Sequence, residues 1–282
     1  MKHNPFKISL LLTLMIISAF NADITAQKKI NNPNIYTIVK DTALWEMVYI
    51  HTTFDPLKED SRSRFEILIN GPTYISYGSY GRFQLDSIGR ADPDRFTNMT
   101  REEYSALRRS LEIEMESTLV NKKEGSLEYL GRIFINSYRY EEPIPQFDWN
   151  LEDETMEVMG YECRKATTTW RGRNWTAWYS DIPLSAGPWK FNGLPGLILR
   201  LEDSKNEHFF EAVKSMNEQF PFGYKKALYC KTNRKKYNDE LMDYKRNAGK
   251  MFMDSGMVTI TETNRESNFR KVGLFHNPIE LE

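Results

Sequence analysis

Apolar and polar positions alternate with a period of two along much of this chain, and that period predicts strands. Between Ala43 and Phe54, the positions Leu44, Glu46, Val48 and Ile50 alternate with Trp45, Met47, Tyr49 and His51. Arg64 to Asn70 sets Phe65, Ile67 and Ile69 on one face, Asn70-Gly71-Pro72 turns the chain, and Thr73 to Tyr77 follows as a third strand. Three strands with short breaks predict a meander. Residues 78–95, rich in Gly, Asp and Ser, read as a surface loop. After Asn121–Gly125, Arg132 to Tyr138 reads as a strand, and the two prolines of 141–150 predict an irregular crossover. A second run of strands begins near Thr155. Tyr161 to Trp170 and Trp175 to Ser180 flank a hairpin turn at 171–174, and Glu207 to Met216 follows later.

Two stretches carry the helical period instead. Residues 99–118 open with Thr100 as N-cap and Glu103 three residues on, a capping box, with Met99 and Tyr104 placed for a hydrophobic staple. Tyr104, Leu107, Leu111, Met115 and Leu119 continue the stripe. Farther on, Asn238 caps a second helix with Leu241, Tyr244, Ala248 and Met251 on one face. Residues 257–262 read as a last strand.

The stretch 187–203 differs from both patterns. Turn formers sit among large apolar residues, and Pro195-Gly196 suits a type II turn with positive φ at the glycine. Beyond it, Leu197, Leu199 and Leu201 alternate with Ile198, Arg200 and Glu202, a half-buried strand. No nucleophile, base or metal set lies within it.

The first residues follow another rule. Lys2 and Lys7 precede a mostly apolar run from Ile8 to Phe20, too short to span a bilayer, and small residues surround Thr25-Ala26. This predicts a signal peptide, residues 1–26, cleaved before Gln27, with an uncleaved anchor as the alternative. No later stretch is apolar enough to cross a membrane, so the mature chain is expected to have no transmembrane span. The formal net charge of −1 gives no support to nucleic-acid binding. In an oxidising compartment Cys163 and Cys230 would form one disulfide, or remain two separate buried thiols. The expected architecture is α+β and predominantly antiparallel β. One domain over 27–282 forms a curved sheet or partial barrel, covered by the helices near 101–118 and 238–252. Two small sheets split near 141–155 are the alternative.

Within this frame, Phe191-Asn192-Gly193-Leu194-Pro195-Gly196-Leu197-Ile198 resembles the defining motif of the GLPGLI family of secreted proteins. Gly160-Tyr161-Glu162-Cys163-Arg164-Lys165-Ala166 is similar to the family's upstream strand. Trp178 to Pro183 with Gly187-Pro188-Trp189 is similar to its link to the motif, and Asn277-Pro278-Ile279-Glu280-Leu281 to its C-termini. The resemblance implies export to the envelope of a Gram-negative bacterium, in the periplasm or at the outer membrane. It implies no established activity, so no catalytic residues carry over. Gly193, Leu194, Pro195, Gly196, Leu197 and Ile198 are expected to be structural.

Candidate chemistry is sparse. Beyond the signal the histidines are His51, His208 and His276, and the chain has no H-E-x-x-H, G-x-S-x-G, P-loop, C-x-x-C or EF-hand pattern. Trp170, Trp175, Trp178, Tyr179 and Trp189 cluster, with Arg164, Arg171, Arg173 and Lys190 placed to hold an anionic group. The expected ligand-binding residues are therefore Trp175, Trp178, Tyr179, Trp189, Lys190 and Arg173, on an aromatic face that packs in the core or lines a groove. No cofactor and no resident metal are expected, although Met251, Met253, Met257 and His276 offer soft donors for copper. The leading expectation is a non-catalytic envelope protein binding an unknown envelope partner or small ligand. A periplasmic hydrolase with a dispersed site and a copper-handling protein are the alternatives.

Overall fold

The computed structural model describes residues 38–56, 59–254 and 277–281. The expected signal peptide, the last strand at 257–262, Met257 and His276 lie outside these residues, as do the side chains of Met251 and Met253. The chain divides into two compact units. The described part of one is Gln84–Glu112, and the described parts of the other fall within Tyr36–Phe83 and Ile113–Glu282.

The larger unit is built on an open, curved sheet. Its strands are β2 (Trp45–Asp55), β3 (Asp60–Asn70), β4 (Tyr74–Ser79), β5 (Ser117–Asn121), β6 (Ser126–Ile133), β7 (Asn136–Pro143), β8 (Asn150–Val158), β9 (Tyr161–Trp170), β10 (Arg173–Tyr179), β11 (Ile198–Asp203), β12 (His208–Met216) and β14 (Tyr229–Lys231). The order across the sheet is β14-β7-β6-β5-β4-β3-β2-β12-β11-β10-β9-β8. Among the described residues only the β14–β7 pair is parallel. A separate ribbon pairs β1 (Ile38–Thr42) with β13 (Pro221–Tyr224). The fold is thus α+β and mostly antiparallel, a partial barrel left unclosed. One strand order runs through both halves of the chain, so the alternative of two sheets split near 141–155 is not what forms.

Tight turns make this meander. Met159-Gly160 and Arg171-Gly172 all have positive φ, at 53° and 79° and at 45° and 79°. That is the geometry of two-residue hairpins whose twist matches the strands. Register then sorts chemistry by face. One row crosses the sheet through the paired positions Met47, Leu68, Tyr77, Thr118, Tyr129 and Tyr140. The next brings Tyr49, Glu66 and Ser79 together, and the one beyond joins Phe210, His51 and Arg64.

Four helices occur among the described residues: α1 (Tyr80–Ala91), α2 (Arg95–Asn98), α3 (Arg101–Ser110) and α4 (Arg234–Asp254). The stretch 78–95, expected as a loop, is mostly α1. Ser79 Oγ accepts from the Arg82 amide at 3.2 Å, a cap that outweighs the low helix propensity of Gly81 and Gly89. The expected helix 99–118 forms only as α3. Its capping box is present in both directions, but the chain leaves the helix at Leu111, and Leu119 is buried in β5. Within this smaller unit Phe96 is buried and meets Tyr104 edge-on at 5.9 Å. α4 starts one turn earlier than its apolar stripe indicates. Asn233, not Asn238, accepts from the Lys236 amide at 3.0 Å. Its Tyr237 is buried among Tyr129, Tyr138 and Tyr140 of β6 and β7.

The motif stretch runs as irregular chain into β11, and two expectations about it need correction. Gly196 is not in the left-handed region; the positive φ, 90°, is at Gly193. Gly196 is required because a Cβ there would stand 1.8 Å from the Ser180 carbonyl oxygen. The leucines also do not share one face. A bulge between the Trp178 and Tyr179 pairings inserts Leu199 into the β10–β11 ladder. One extra residue reverses the alternation. Leu197 and Leu199 therefore pack with Met47, Tyr49 and Trp178, whereas Ile198 and Leu201 pack with Trp175, Tyr179, Phe191 and Leu194. Of the two alternatives for the cysteines, the structure carries separate thiols. Cys163 is a buried thiol on β9, and Cys230 is an exposed thiol on β14, the opposite edge of the sheet. Burial pushes the Cys163 thiol up to about 11.

Candidate functional site

The C-terminal segment Asn277–Leu281 lies across the β9–β10 hairpin, and charged groups gather beneath it. At one end, Arg173 of β10 is buried. Its Nη1 donates to Asp203 Oδ2 at 2.8 Å and Glu207 Oε2 at 2.7 Å, and its Nη2 to Asn277 Oδ1 at 2.5 Å and the Pro278 carbonyl at 2.9 Å. Asn277 Nδ2 donates to Glu207 Oε2 at 3.0 Å and to the Phe54 carbonyl at 2.8 Å. Ile279 packs against the cluster of Trp175, Phe191 and Phe210.

At the other end, the Glu280 carboxylate is held from several sides. Trp189 Nε1 donates to Oε1 at 3.0 Å, Lys190 Nζ lies 2.8 Å from the same oxygen, and Arg171 Nη1 donates to Oε2. Arg234, at the start of α4, stands 3.5 Å from Oε2. A second carboxylate, Glu142 on β7, accepts from Lys190 Nζ at 2.6 Å and Arg171 Nη2 at 3.0 Å. The Leu281 amide donates to the Arg171 carbonyl at 3.0 Å, which completes the docking.

Local backbone geometry aims these groups. Arg171 occupies the first corner of its hairpin turn. Trp189 has φ of 58°, a costly conformation for a bulky residue, and the costs are met by packing. Its ring touches Tyr129 edge-on at 5.9 Å while its indole N–H serves Glu280. The turn it makes points Lys190 inward, where Nζ lies 5.4–5.5 Å over the rings of Tyr129, Tyr140 and Trp189. Burial pushes the Lys190 ammonium down to about 8, with Glu142 opposing and Arg171 and Arg234 adding to the fall. Burial acts to raise the Glu142 carboxyl, but Lys190 and Arg171 outweigh it and hold it below the usual range. Among the described residues, Arg171, Lys190 and Arg234 each stand within 4.0 Å of both Glu142 and Glu280.

A second polar group lies inside the sheet. His51 Nδ1 is 3.2 Å from Glu66 Oε1, and its Nε2 is 3.2 Å from both His208 Nδ1 and Thr53 Oγ1. Glu66 also accepts from Arg64 Nε at 2.7 Å and Tyr77 OH at 2.6 Å. Because the Glu66 carboxylate can only accept, His51 Nδ1 carries the proton, Nε2 accepts, and His208 donates from Nδ1. His208 Nε2 has no partner in hydrogen-bond geometry among the described residues. Burial lowers both histidines below their ordinary value, and for His208 the neighbouring His51 and Arg173 deepen the fall. Burial acts to raise Glu66, yet His51 and Arg64 hold it far below the carboxylate range.

Of the residues singled out as ligand-binding, the fold buries Trp175, Trp178 and Tyr179 in the core, at 1%, 9% and 7% exposure. The cluster around Asn277–Leu281 brings Arg173, Trp189 and Lys190 together. Glu142, Arg234, Glu280 and the Glu66–His51–His208 chain were not anticipated. The alternation of Tyr138, Tyr140 and Glu142 on β7 was the available signal for the first. The residue types in Asn277-Pro278-Ile279-Glu280 were the signal for the strap. No group of three or more His, Cys, Asp or Glu is placed to hold a metal ion among the described residues. No described helix is long and apolar enough to cross a membrane.

Comparison with known proteins adds one short match. Residues 171–200 match a family described as "Protein of unknown function (Porph_ging)". That is the GLPGLI-type family, and the matched stretch holds Arg171, Arg173, Trp189, Lys190 and the six-residue motif. Comparison with curated proteins finds no match. Among solved structures, PNGF-II in one space group is 16% identical, with a TM-score of 0.47 over 71% of this chain and 33% of that one. A second PNGF-II structure is 15% identical, with a TM-score of 0.44 over 71% of this chain and 32% of the other. The chain thus spans about a third of PNGF-II. The LolA superfamily protein NE2245 from Nitrosomonas europaea is 10% identical, with a TM-score of 0.26 over 70% of this chain and 95% of that one.

Proposed function

We propose that this chain is an exported cell-envelope protein that acts by binding, and that it holds an anionic group of its ligand or envelope partner in the cradle of Arg171, Trp189, Lys190 and Arg234. The observation that carries this reading is the seating of Glu280. A carboxylate there receives an indole N–H, an ammonium and a guanidinium, with a further guanidinium at 3.5 Å. Such fixed, charge-assisted donors recognise carboxylates and phosphates well. Signal cleavage and residence in the periplasm or at the outer membrane belong to the same reading and are supported by the N-terminal pattern. The test is retention of native-envelope components on immobilised full-length protein. Arg171→Gln should reduce retention and Glu280→Gln, which loosens the resident carboxylate, should raise it. Retention that neither change alters would remove the cradle from consideration.

A second reading has one observation in its favour. Thr53 Oγ1, His51 Nε2 and Glu66 Oε1 stand in the order nucleophile, base and orienting acid, each step 3.2 Å. Thr53 and His51 are 2% and 0% exposed, so a hydrolase of this kind has to open before substrate enters. A fluorophosphonate probe that fails to label Thr53 in the full-length protein would remove this reading.

A further inference from the structure

The segment Asn277–Leu281 is bound as a peptide ligand is bound. Successive residues each make a specific contact: Asn277 reads Glu207 and Phe54, Pro278 offers its carbonyl to Arg173, Ile279 fills an apolar site, and Glu280 enters the basic cradle. Side-chain recognition dominates over backbone pairing, and the segment belongs to none of the strands. Twenty-two residues, 255–276, separate it from the end of α4. A stretch of that many residues has a maximal span of about 70 Å, long enough to reach a neighbouring molecule.

We infer that the cradle is an exchangeable peptide site, and that its partner in trans is the Asn277–Leu281 segment of a second copy of this chain. This rests on the reading that the cradle takes an anionic group, and it names the group's bearer. The complementarity is already present, because both copies carry the same segment and the same cradle. Exchange replaces every intramolecular contact by an identical one between copies, so it costs little beyond the entropy of association. The resident strap competes at an effective concentration of about 1 mM, which keeps the exchanged form minor at low protein concentration.

The test uses the full-length chain with its own strap weakened, Asn277→Ala combined with Glu280→Ala, and a fluorescent peptide Asn-Pro-Ile-Glu-Leu-Glu as probe. The variant should bind the peptide saturably. Replacing the peptide's first Glu by Gln, or adding Arg171→Gln to the protein, should weaken binding roughly ten- to a hundredfold, the worth of a charge-assisted bond. In wild-type protein, light scattering across a concentration series should reveal a dimer, and the peptide should dissolve it. A folded variant that shows no binding up to about 1 mM peptide overturns the proposal, since the tethered segment acts at that concentration. If the variant does not fold alone, added peptide must restore the folded signal, and failure to do so also overturns it. Peptide binding with a strictly monomeric wild-type protein overturns the second copy as partner. Envelope retention that responds to Arg171→Gln without peptide binding leaves the cradle reading standing and removes only this inference.

Discussion

Gly196→Ala tests what the motif glycine does. The added Cβ would lie 1.8 Å from the Ser180 carbonyl oxygen, against a floor of 3.0 Å for real Cβ contacts, so the two segments must separate by about 1.2 Å. The atom it meets is backbone, so no side-chain rotation relieves the clash. That separation acts on a tight set of bonds. The Ser180 amide donates to the Leu197 carbonyl at 2.9 Å, the Leu197 amide to Ile182 at 3.0 Å, and the Ile198 amide to Ala186 at 2.9 Å. Losing two of them costs about 2 kcal/mol, because Leu197 and Ile198 are fully buried and water cannot replace the partners. Overpacking adds about 1–3 kcal/mol. The expected loss is about 4 kcal/mol, read in urea unfolding, or a melting temperature lower by about 10 °C. Gly193→Ala is the control. It has open space, with nothing nearer than 3.5 Å, but a φ of 90°, so it should cost only about 1–2 kcal/mol. A Gly196→Ala protein within 1 kcal/mol of wild type, or one less affected than Gly193→Ala, would refute the close-approach argument.

Three further outcomes follow from the same structure. His51 and His208 are held neutral in the fold, with pKa values below the unfolded value of about 6.5. The unfolded chain therefore binds more protons below that pH. Stability present above pH 6.5 should fall as pH drops through it, by about 2 kcal/mol at pH 5 from His208 alone, and a urea midpoint unchanged between pH 7.5 and 5 would contradict this. Glu280→Gln leaves Lys190 and Arg171 under-neutralised in a buried cluster and should cost about 3 kcal/mol, with earlier proteolysis of the C-terminus; a change under 0.5 kcal/mol would show that the segment is not anchored through its charge. Ellman's reagent should titrate Cys230 in native protein and Cys163 only after unfolding, whereas a denatured, unreduced sample without free thiols would establish the disulfide.

Much of the sheet was legible because alternation and turn chemistry agree. Tyr161–Trp170 is β9 to the residue, and Gly172 marked a hairpin that does form. Where the expectation failed, tertiary contacts overrode a local signal. Leu111, Met115 and Leu119 extended a helical stripe past α3, yet Leu119 is taken by the ladder between β4 and β6. The phase change at Leu199 has no signature in composition, since a bulge moves residues between faces without altering their alternation in sequence. Aromatic clustering at Trp175, Trp178 and Tyr179 marked the core and not a groove, because a curved sheet this wide needs large side chains inside it. The ion cluster was half legible. Arg171, Arg173 and Lys190 stood out as a basic run, but their carboxylate partners come from β7, the end of β11 and the C-terminus, distances in sequence that no local pattern spans.

Trp189 explains why the motif, the hairpin and the C-terminus behave as one unit. Its ring packs against the cluster around Tyr49 and Leu197, against that around Trp175 and Phe191, and against the tyrosines of β6, β7 and α4. Its indole N–H holds Glu280, and the same left-handed turn delivers Lys190 to Glu142. The position of Trp189 depends in turn on the chain returning tightly from Ser180 to Leu197, which Gly196 permits. A structural glycine and the proposed cradle are therefore coupled through one strained tryptophan. Strain of that kind persists only where the surroundings over-determine it. Here they do so most completely when a carboxylate occupies the cradle, because the indole N–H then has a partner and the Lys190 ammonium has a second carboxylate beside Glu142. Ligand occupancy and the stability of the motif should accordingly rise and fall together.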